Sequence, residues 1–434
     1  MGRKSVPAIH PAGVMVGAIL TGVGVFLAET FLGPLLGRSM APSEERIMGL
    51  VHRSLVEHYV EPRDPEWLMH RAVEGMIEAL DDPYTFFIGP EDLAALEEES
   101  SGNLIGIGVM LDGAEGRVRY PVPGGPAEAA GLRPGDRILA VDGEDVTGLD
   151  LTALSERIKG EPGTAVRLRI EPLQGEPYEV EITRSPVPRG TVGKVRMLDE
   201  ERGIGTIAIR SFSRSTPAEL DAALDELDRD GRLHGLILDL RFDTGGVLDA
   251  AVAVAARFLD GGPVCRLQER GGPGSLREAD PALSRYPDLP LVVLLNGLSA
   301  SGSEILAGAL RDRGHAVLAG SRSYGKGVYQ RVHRYRSADF ALKFTAGYYL
   351  TPSGRVLEGH IDPERAGGLE PDLALEVPIE ESAAIQAWLR YEDPPREYRE
   401  LVFRLFPRVA EVRPPPDRVL ETALRHLQEV LGAA

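Results

Sequence analysis

The chain has 434 residues, of which 43% are hydrophobic and 26% charged, which is enough for two or three folded domains. Its formal net charge of −18 at pH 7 argues against a nucleic-acid partner, since binding phosphates requires a basic surface. The single cysteine, Cys265, excludes an intrachain disulfide and a cysteine-rich zinc site. The nine histidines contain no HExxH spacing, which argues against a zinc metalloprotease.

Residues 1–42 have the character of an export segment. Arg3 and Lys4 precede an uncharged apolar run at residues 12–28, a pattern typical of a membrane anchor or a signal peptide. The run is just long enough to span a bilayer, which takes about 17–25 residues. The small residues that end at Ala41 also suit cleavage, and a buried core helix fits the basic flank less well. We expect either an inner-membrane anchor that faces the periplasm or a cleaved signal that releases a periplasmic protein.

Residues 43–98 are predicted to be helical. Apolar residues in the first segment fall on one helix face, namely Ile47, Leu50, Val51, Leu55 and Tyr59. The segment PEWLMHRAVEGMIEALD repeats this pattern, and DDPYTFFIGPEDLAAL reads as a turn followed by a short helix. Such a region packs on a core or against a second copy of itself.

Residues 99–188 change to short strands and glycine turns with one helix. The stretch GPAEAAGLRPGDRILAVDGEDV resembles a PDZ domain, which binds the C-terminus of a peptide as an added strand. The resemblance implies that backbone N–H groups of Ile105, Gly106 and Ile107 hold the terminal carboxylate, and glycine permits that close approach. Without the resemblance, this segment would be a plain edge strand. Arg137 is a candidate for coupling peptide binding to an active site.

Residues 189–378 alternate buried strands with helices, a pattern typical of a largely parallel sheet covered on both faces. Ligands bind such sheets at the carboxyl ends of the strands. Three unusual segments follow strands here, namely DLRFDTGGV, NGLSASGSE and SYGKGVYQ. We therefore expect them to meet at one site. Residues 379–434 are predicted to be helical and carry no recognisable motif.

The second of these segments contains Ser299, Ser301 and Ser303 at a strand-to-helix corner. Ser301 and Glu304 fit a capping box, which would make the serines structural. A serine at this place also lies beside free helix N-terminal amides, which can stabilise developing negative charge. It becomes a nucleophile only if a base removes its proton. A pairing of His333 with Asp362 for that purpose stays open.

Lys326 is the better candidate base. A lysine acts as a base only when neutral, and lowering its ordinary pKa of about 10.4 by two to three units requires roughly 3–4 kcal/mol. Gln330, four residues later, could orient the amine without adding charge. Gly245 and Gly246 could turn a backbone N–H toward the same site. The alternatives are a solvated loop lysine, a surface glutamine and a helix-start or phosphate-binding glycine turn, although no P-loop pattern is present.

In combination, several long segments resemble the carboxyl-terminal processing peptidases, a family of Ser/Lys proteases that contain a PDZ domain. The resemblance spans about residues 43–375 and is carried by the PDZ-like block together with DDPYTFF, GTIAIRSFS, LILDLRFDTGG, VVLLNGLSASGSEILAGAL, SYGKGVYQ and FTAGYYLTPSGR. It implies a mixed α/β fold, in which an α/β peptidase core carries an inserted β-rich PDZ domain and flanking helical segments. It also implies an endopeptidase that cleaves near the C-termini of extracytoplasmic proteins with apolar, unstructured tails.

The same resemblance assigns roles to individual residues. It makes Ser301 the nucleophile and Lys326 the base, with Gln330 as its companion. Gly246 and Gly302 would supply the oxyanion-hole N–H groups. Three polar residues would support the site, namely Asp239, Arg241 and Glu304. No metal ion or organic cofactor is required.

The sequence departs from the family pattern at three places. Asp243 stands where asparagine is usual, Gly302 stands where alanine is common, and HIDPERAGGLEPDL contains extra residues. We expect Asp243 to add negative charge near Lys326 and thereby to raise the pKa of its amine. Two rival hypotheses remain, a PDZ scaffold with a silent peptidase domain and a Ser-His-Asp hydrolase.

Overall fold

The computed structural model describes residues 43–89, 103–113, 115–188, 190–272, 274–335, 340–361 and 366–432. The chain divides into two compact units, residues 1–79 and 80–434. The predicted anchor or signal at residues 12–28 and the short helix predicted near residue 93 lie outside the described residues. Over the described ranges, no helix is long and apolar enough to cross a membrane.

The described part of the first unit consists of two helices, α1 (Glu44–His58) and α2 (Pro65–Glu78). The side chain of Asp64 accepts a hydrogen bond from the N–H of Trp67 at 2.8 Å and caps α2, which has proline in its first turn. No residue of either helix is buried. Their apolar side chains are therefore uncovered, including Ile47, Leu50, Val51, Leu55 and Met76.

The second unit begins with strand β1 (Phe86–Ile88), which precedes a β-rich domain. In that domain β2 (Asn103–Gly106) pairs with β9 (Ser185–Pro188), apart from the main sheet. The main sheet has the order β3-β4-β5-β7-β8, with β6 added to β5. The strands of this sheet are β3 (Val109–Asp112), β4 (Arg117–Pro121), β5 (Arg137–Val141), β6 (Glu144–Asp145), β7 (Ala165–Glu171) and β8 (Tyr178–Thr183). The same domain contains the helices α3 (Pro126–Ala129) and α4 (Leu151–Ile158). Strand β7 alternates exposed residues with buried Val166, Leu168 and Ile170, which face the core of this domain.

A six-stranded sheet forms the centre of the peptidase-like region, in the order β10-β11-β12-β15-β16-β19. The pairings from β11 to β19 are parallel, whereas β10 is antiparallel to β11. The strands are β10 (Val192–Asp199), β11 (Ile204–Ile209), β12 (Gly235–Asp239), β15 (Leu291–Leu295), β16 (Ala316–Gly320) and β19 (Leu373–Ala374). Continuous apolar runs make β11, β12 and β15 buried along their whole length.

Helices cover both faces of this sheet, as the sequence predicted for a mixed α/β fold. One face packs against α5 (Thr216–Leu227), α6 (Leu248–Ala255) and α7 (Gly302–Asp312). The other face packs against α11 (Arg418–Gly432) through Val419, Ala423 and Leu427. A second sheet joins β1 to β18 (Phe340–Leu350), β13 (Gly262–Glu269) and β14 (Ser275–Ala279), with β17 (Val328–Tyr335) on β18.

The remaining C-terminal helices touch both the central sheet and the β-rich domain. Helix α8 (Ile379–Arg390) packs on Ala208 of β11. Apolar residues of α9 (Arg399–Leu405) and α10 (Pro407–Ala410) form a hydrophobic cluster with Tyr120 of β4. Lys194 of β10 is buried against this region. Its ammonium lies 3.8 Å from the ring centroid of Trp388 and 3.1 Å from a carboxylate oxygen of Asp393. The C-terminal region is therefore packed between the two domains.

Candidate active site

The three unusual segments lie at one edge of the central sheet. Residues 239–247 begin at the last residue of β12, residues 296–301 follow β15 and residues 321–327 follow β16. These strands are parallel neighbours, so their carboxyl ends lie side by side. We name the segments the glycine corner, the serine corner and the lysine loop, and the structure brings them together as expected.

Ser301 is the residue immediately before helix α7. Its φ of 54° and ψ of −111° lie in a region that non-glycine residues rarely adopt. Such backbone strain is typical of functional sites. The Ser301 side chain is partly exposed at the start of the helix, where Ser301 and Glu304 form the capping box that the sequence indicated.

The two neighbouring serines are buried and occupied by hydrogen bonds. The hydroxyl of Ser299 donates to the carbonyl of Leu240 at 2.8 Å and accepts from the N–H of Asn296 at 2.9 Å. The hydroxyl of Ser303 donates to the carbonyl of Asp243 at 3.0 Å. Both therefore fasten the serine corner to the glycine corner, which leaves Ser301 as the serine that can face a substrate.

Glu304 joins the serine corner to the lysine loop. Its Oε2 accepts the backbone N–H groups of Ser301 and of Lys326, each at 2.9 Å. Its Oε1 accepts the N–H of Gly325 at 2.7 Å and the hydroxyl of Ser323 at 2.5 Å. Burial raises the pKa of the Glu304 carboxyl, while these four hydrogen bonds act to lower it. One carboxylate oxygen thus holds the backbones of the candidate nucleophile and base within about 6 Å of each other.

Lys326 is partly buried, and its ammonium lies 5.0 Å from the ring centroid of Tyr84. The flanking Gly327 allows a close approach, because a Cβ there would lie 2.0 Å from the backbone nitrogen of Glu358. The DDPYTFF segment is visible in the sequence, but the contact of Tyr84 with Lys326 depends on the fold and has no signal there. The lysine loop therefore places the Lys326 side chain next to the Tyr84 ring.

Gln330 lies on β17 and is partly buried. Its side-chain amide donates to the carbonyl of Val328 at 3.5 Å, the long limit of a hydrogen bond, and its register partner on β18 is Thr345. The role of Gln330 in orienting Lys326 stays a prediction.

The glycine corner presses directly on the serine corner. A Cβ on Gly245 would lie 2.7 Å from the nitrogen of Gly302, and a Cβ on Gly246 would lie 2.0 Å from the carbonyl oxygen of Phe212. The φ of Gly246 is 147°, which also requires glycine. The adjacent N–H of Val247 is bonded to Phe212 at 2.7 Å. This proximity fits an oxyanion hole formed by Gly246 and Gly302, which stays a prediction.

Asp239 and Arg241 fix the end of β12. The buried guanidinium of Arg241 forms paired hydrogen bonds with Asp239 at 2.9 and 2.6 Å and with Asp417 at 2.9 and 2.7 Å. Burial disfavours its charge, but the two carboxylates raise the pKa of Arg241. Sequence reasoning missed Asp417, which lies 176 residues away just before α11. Asp239 and Arg241 therefore form a buried ion pair at the end of β12, next to the glycine corner.

Asp243 lies in the glycine corner and is fully buried. Burial raises the pKa of its carboxyl to about 8, a direction that opposes the negative charge expected there from the sequence. The effect of Asp243 on Lys326 stays a prediction.

The described residues show no contact that supports the pairing of His333 with Asp362. His333 lies exposed on β17 and its ring packs on the edge of Tyr335, with centroids 4.7 Å apart. Asp362 is outside the described residues. A Ser-His-Asp arrangement therefore gains no support from the described residues.

In the β-rich domain, Ile105 and Gly106 pair with Pro186 and Ser185 of β9. Ile107 is buried, and its carbonyl accepts the N–H of Ala127 at 2.8 Å. Strand β3, which follows, is an edge strand of the main sheet, as β-augmentation requires. The carboxylate nest stays a prediction.

Arg137 does not approach the peptidase site through its described contacts. Its Nε donates to the carbonyl of Glu115 at 3.2 Å, and its guanidinium lies 3.8 Å from a carboxylate oxygen of Glu171. Both partners belong to the β-rich domain, so the coupling hypothesis gains no support.

Comparison with known proteins gives matches to both regions. The sequence model of peptidase family S41 matches residues 203–375, and that of the PDZ domain matches residues 117–172. A probable CtpA-like serine protease of Staphylococcus aureus (strain COL) is 30% identical over 371 residues, which cover 84% of this chain and 72% of the relative.

A second probable CtpA-like serine protease, from Staphylococcus saprophyticus, is 31% identical over 335 residues, covering 76% of this chain but 65% of the relative. Among solved structures, the photosystem II D1 C-terminal processing protease is 32% identical, with a TM-score of 0.46, and the match covers 76% of this chain and 86% of that one. The chain thus matches about two thirds of the length of these curated relatives.

Proposed function

Because the chain belongs to the family of CtpA-like, C-terminal processing serine peptidases, we propose that it is an endopeptidase that cleaves extracytoplasmic proteins near their C-termini. The observation that carries the proposal is the shared carboxylate oxygen of Glu304, which holds the backbones of Ser301 and Lys326 together. A capping box that only stabilised the start of α7 would not require Glu304 to accept the N–H of Lys326 as well. The arrangement suits a Ser/Lys pair.

In the proposed mechanism, the hydroxyl of Ser301 attacks the scissile carbonyl while neutral Lys326 accepts its proton. The N–H groups of Gly246 and Gly302 stabilise the resulting oxyanion. Lys326 then gives the proton to the leaving amine, and an acyl-enzyme remains on Ser301. Water, deprotonated by Lys326, hydrolyses the ester and restores the serine. Gln330 orients the lysine amine.

The PDZ domain captures the substrate tail in this proposal. Strand β3 is an edge strand of the main sheet over the described residues, so an extended peptide could add to the sheet there. The backbone at Ile105, Gly106 and Ile107 is proposed to receive the terminal carboxylate. Apolar and unstructured tails suit this mode, because an added strand must be free of other structure.

We further propose that residues 1–42 export the chain and either anchor it in the membrane or are cleaved.

The uncovered apolar faces of α1 and α2 would be covered by the same helices of a second copy. Light scattering of chains with and without residues 43–79 tests this self-association, and a monomer in both cases would rule it out.

The test of the peptidase proposal uses the chain without residues 1–42 and an unfolded reporter protein with an apolar C-terminus. Ser301→Ala and Lys326→Ala variants are compared with Lys343→Ala, a lysine on β18 with no role in the mechanism. We expect the parent and Lys343→Ala to cleave the reporter, and the other two variants to be inactive. Full activity of Lys326→Ala would remove the Ser/Lys mechanism. No cleavage by the parent across pH, with a PDZ-binding peptide added, would favour the scaffold hypothesis.

A further inference from the structure

Asp243 has an unusual position between the two corners of the site. It is fully buried, and its Oδ1 accepts the N–H of Gly245 at 2.8 Å. Its backbone carbonyl accepts the N–H of Ala300 and the hydroxyl of Ser303, both at 3.0 Å. Its Oδ2 is buried with no hydrogen-bond partner among the described residues. The residue therefore ties the glycine corner to the serine corner while one of its oxygens has no donor.

An ionised carboxylate is poorly accommodated in this environment. Each of its oxygens needs donors, and burial without them is costly. The nearest positive side chain on the same loop is Arg241, which is already paired with Asp239 and Asp417.

A neutral carboxylic acid fits the site better. It has the shape of asparagine, keeps one acceptor oxygen for the N–H of Gly245, and places a neutral hydroxyl rather than a charged oxygen at the Oδ2 position, which has no partner among the described residues. Burial raises the pKa of Asp243 to about 8, while the N–H of Gly245 and the hydroxyl of Ser303 act to lower it.

We infer that Asp243 is a positioning residue that works as a neutral acid: protonated, it holds the glycine turn against the serine corner, and on ionisation it disturbs the oxyanion N–H of Gly246. The inference rests on the proposed peptidase function. The neutral form predominates below the pKa, so turnover falls as pH rises through it. Loss of one required proton lowers activity about tenfold per pH unit above the midpoint. An asparagine has no such proton, so it abolishes this alkaline decline.

The experiment measures kcat and KM of the parent and of Asp243→Asn between pH 6 and pH 10. We expect kcat of the parent to fall by roughly tenfold or more by pH 10 with little change in KM, whereas Asp243→Asn keeps its turnover. Asp280→Asn, at an exposed helix cap, is the matched control and should retain the decline. Asp243→Ala, which cannot bond Gly245, should be slow at every pH. An identical alkaline decline in the parent and Asp243→Asn would overturn the inference.

A second measurement does not depend on catalysis. The melting temperatures of the parent and of Asp243→Asn are compared between pH 4 and pH 9. Because the folded state keeps a proton that the unfolded chain loses above about pH 4, the parent should lose stability relative to the variant until about pH 8. If the parent proves inactive, the peptidase proposal fails, and this comparison still decides the protonation state. A difference that does not change with pH would overturn the inference.

Discussion

Replacement of Glu304 by glutamine tests whether one carboxylate assembles the site. Glutamine keeps the shape but offers one acceptor oxygen and one NH2 group, so two of the four present donors lose their acceptor in either orientation. Hydrogen bonds to charged groups contribute about 1.5–3 kcal/mol each, which gives a loss of about 3–6 kcal/mol. The neutral amide is less costly to bury, so we expect the free energy of unfolding to decrease by about 2–4 kcal/mol.

The measurements are urea unfolding and kcat/KM on the reporter protein. If the loss of positioning appears in the transition state, kcat/KM falls about tenfold to a hundredfold or more, at 1.36 kcal/mol for each factor of ten. The control is Glu219→Gln, a carboxylate that accepts the N–H groups of Thr191 and Val192 away from the three loops. It should lose stability but keep kcat/KM. The reasoning is refuted if Glu304→Gln matches the parent in both measurements, or if Glu219→Gln loses as much activity.

Three further substitutions have clear expectations. Gly246→Ala should abolish measurable peptidase activity, since its Cβ would lie 2.0 Å from the carbonyl oxygen of Phe212, whereas Gly302→Ala should keep most of it, since its Cβ meets the Phe212 ring at 3.1 Å. Equal kcat/KM for the two variants would contradict this close packing. Lys194→Met should change the free energy of unfolding by less than about 1 kcal/mol or increase it, because removing a buried charge offsets the lost ion pair. A decrease of about 3 kcal/mol in urea unfolding would instead show that the ion pair stabilises the fold.

Local patterns predicted the site wherever the determining forces are local. The continuous apolar runs of β12, β15 and β16 identify buried parallel strands, and parallel order alone places their carboxyl ends together. The family resemblance chose Ser301 among the three serines, and the structure adds the hydrogen bonds that occupy the buried Ser299 and Ser303. Spacing in the sequence is the same for all three.

Long-range partners had no signal in the sequence. Nothing near Arg241 indicates Asp417, and nothing in the C-terminal segment indicates that Tyr398 packs with Tyr120 in the PDZ domain. The sequence also gives no sign that Asp243 is fully buried, and this burial, which raises the pKa of its carboxyl, is determined by the fold. Single-sequence reasoning identifies residue types at a site but not the dielectric around them.

The packing of α11 on the central sheet has a consequence for how the chain folds. Strand β16 ends at Gly320, but α11, which covers Ile237, Val292 and Leu294, begins at Arg418, about a hundred residues later. During synthesis, this apolar face therefore stays uncovered until the later segment arrives. Such distant contacts slow folding and expose surface that aggregates. A chain of this design should depend on holding chaperones while it emerges, and a truncated product should fail to acquire the native core.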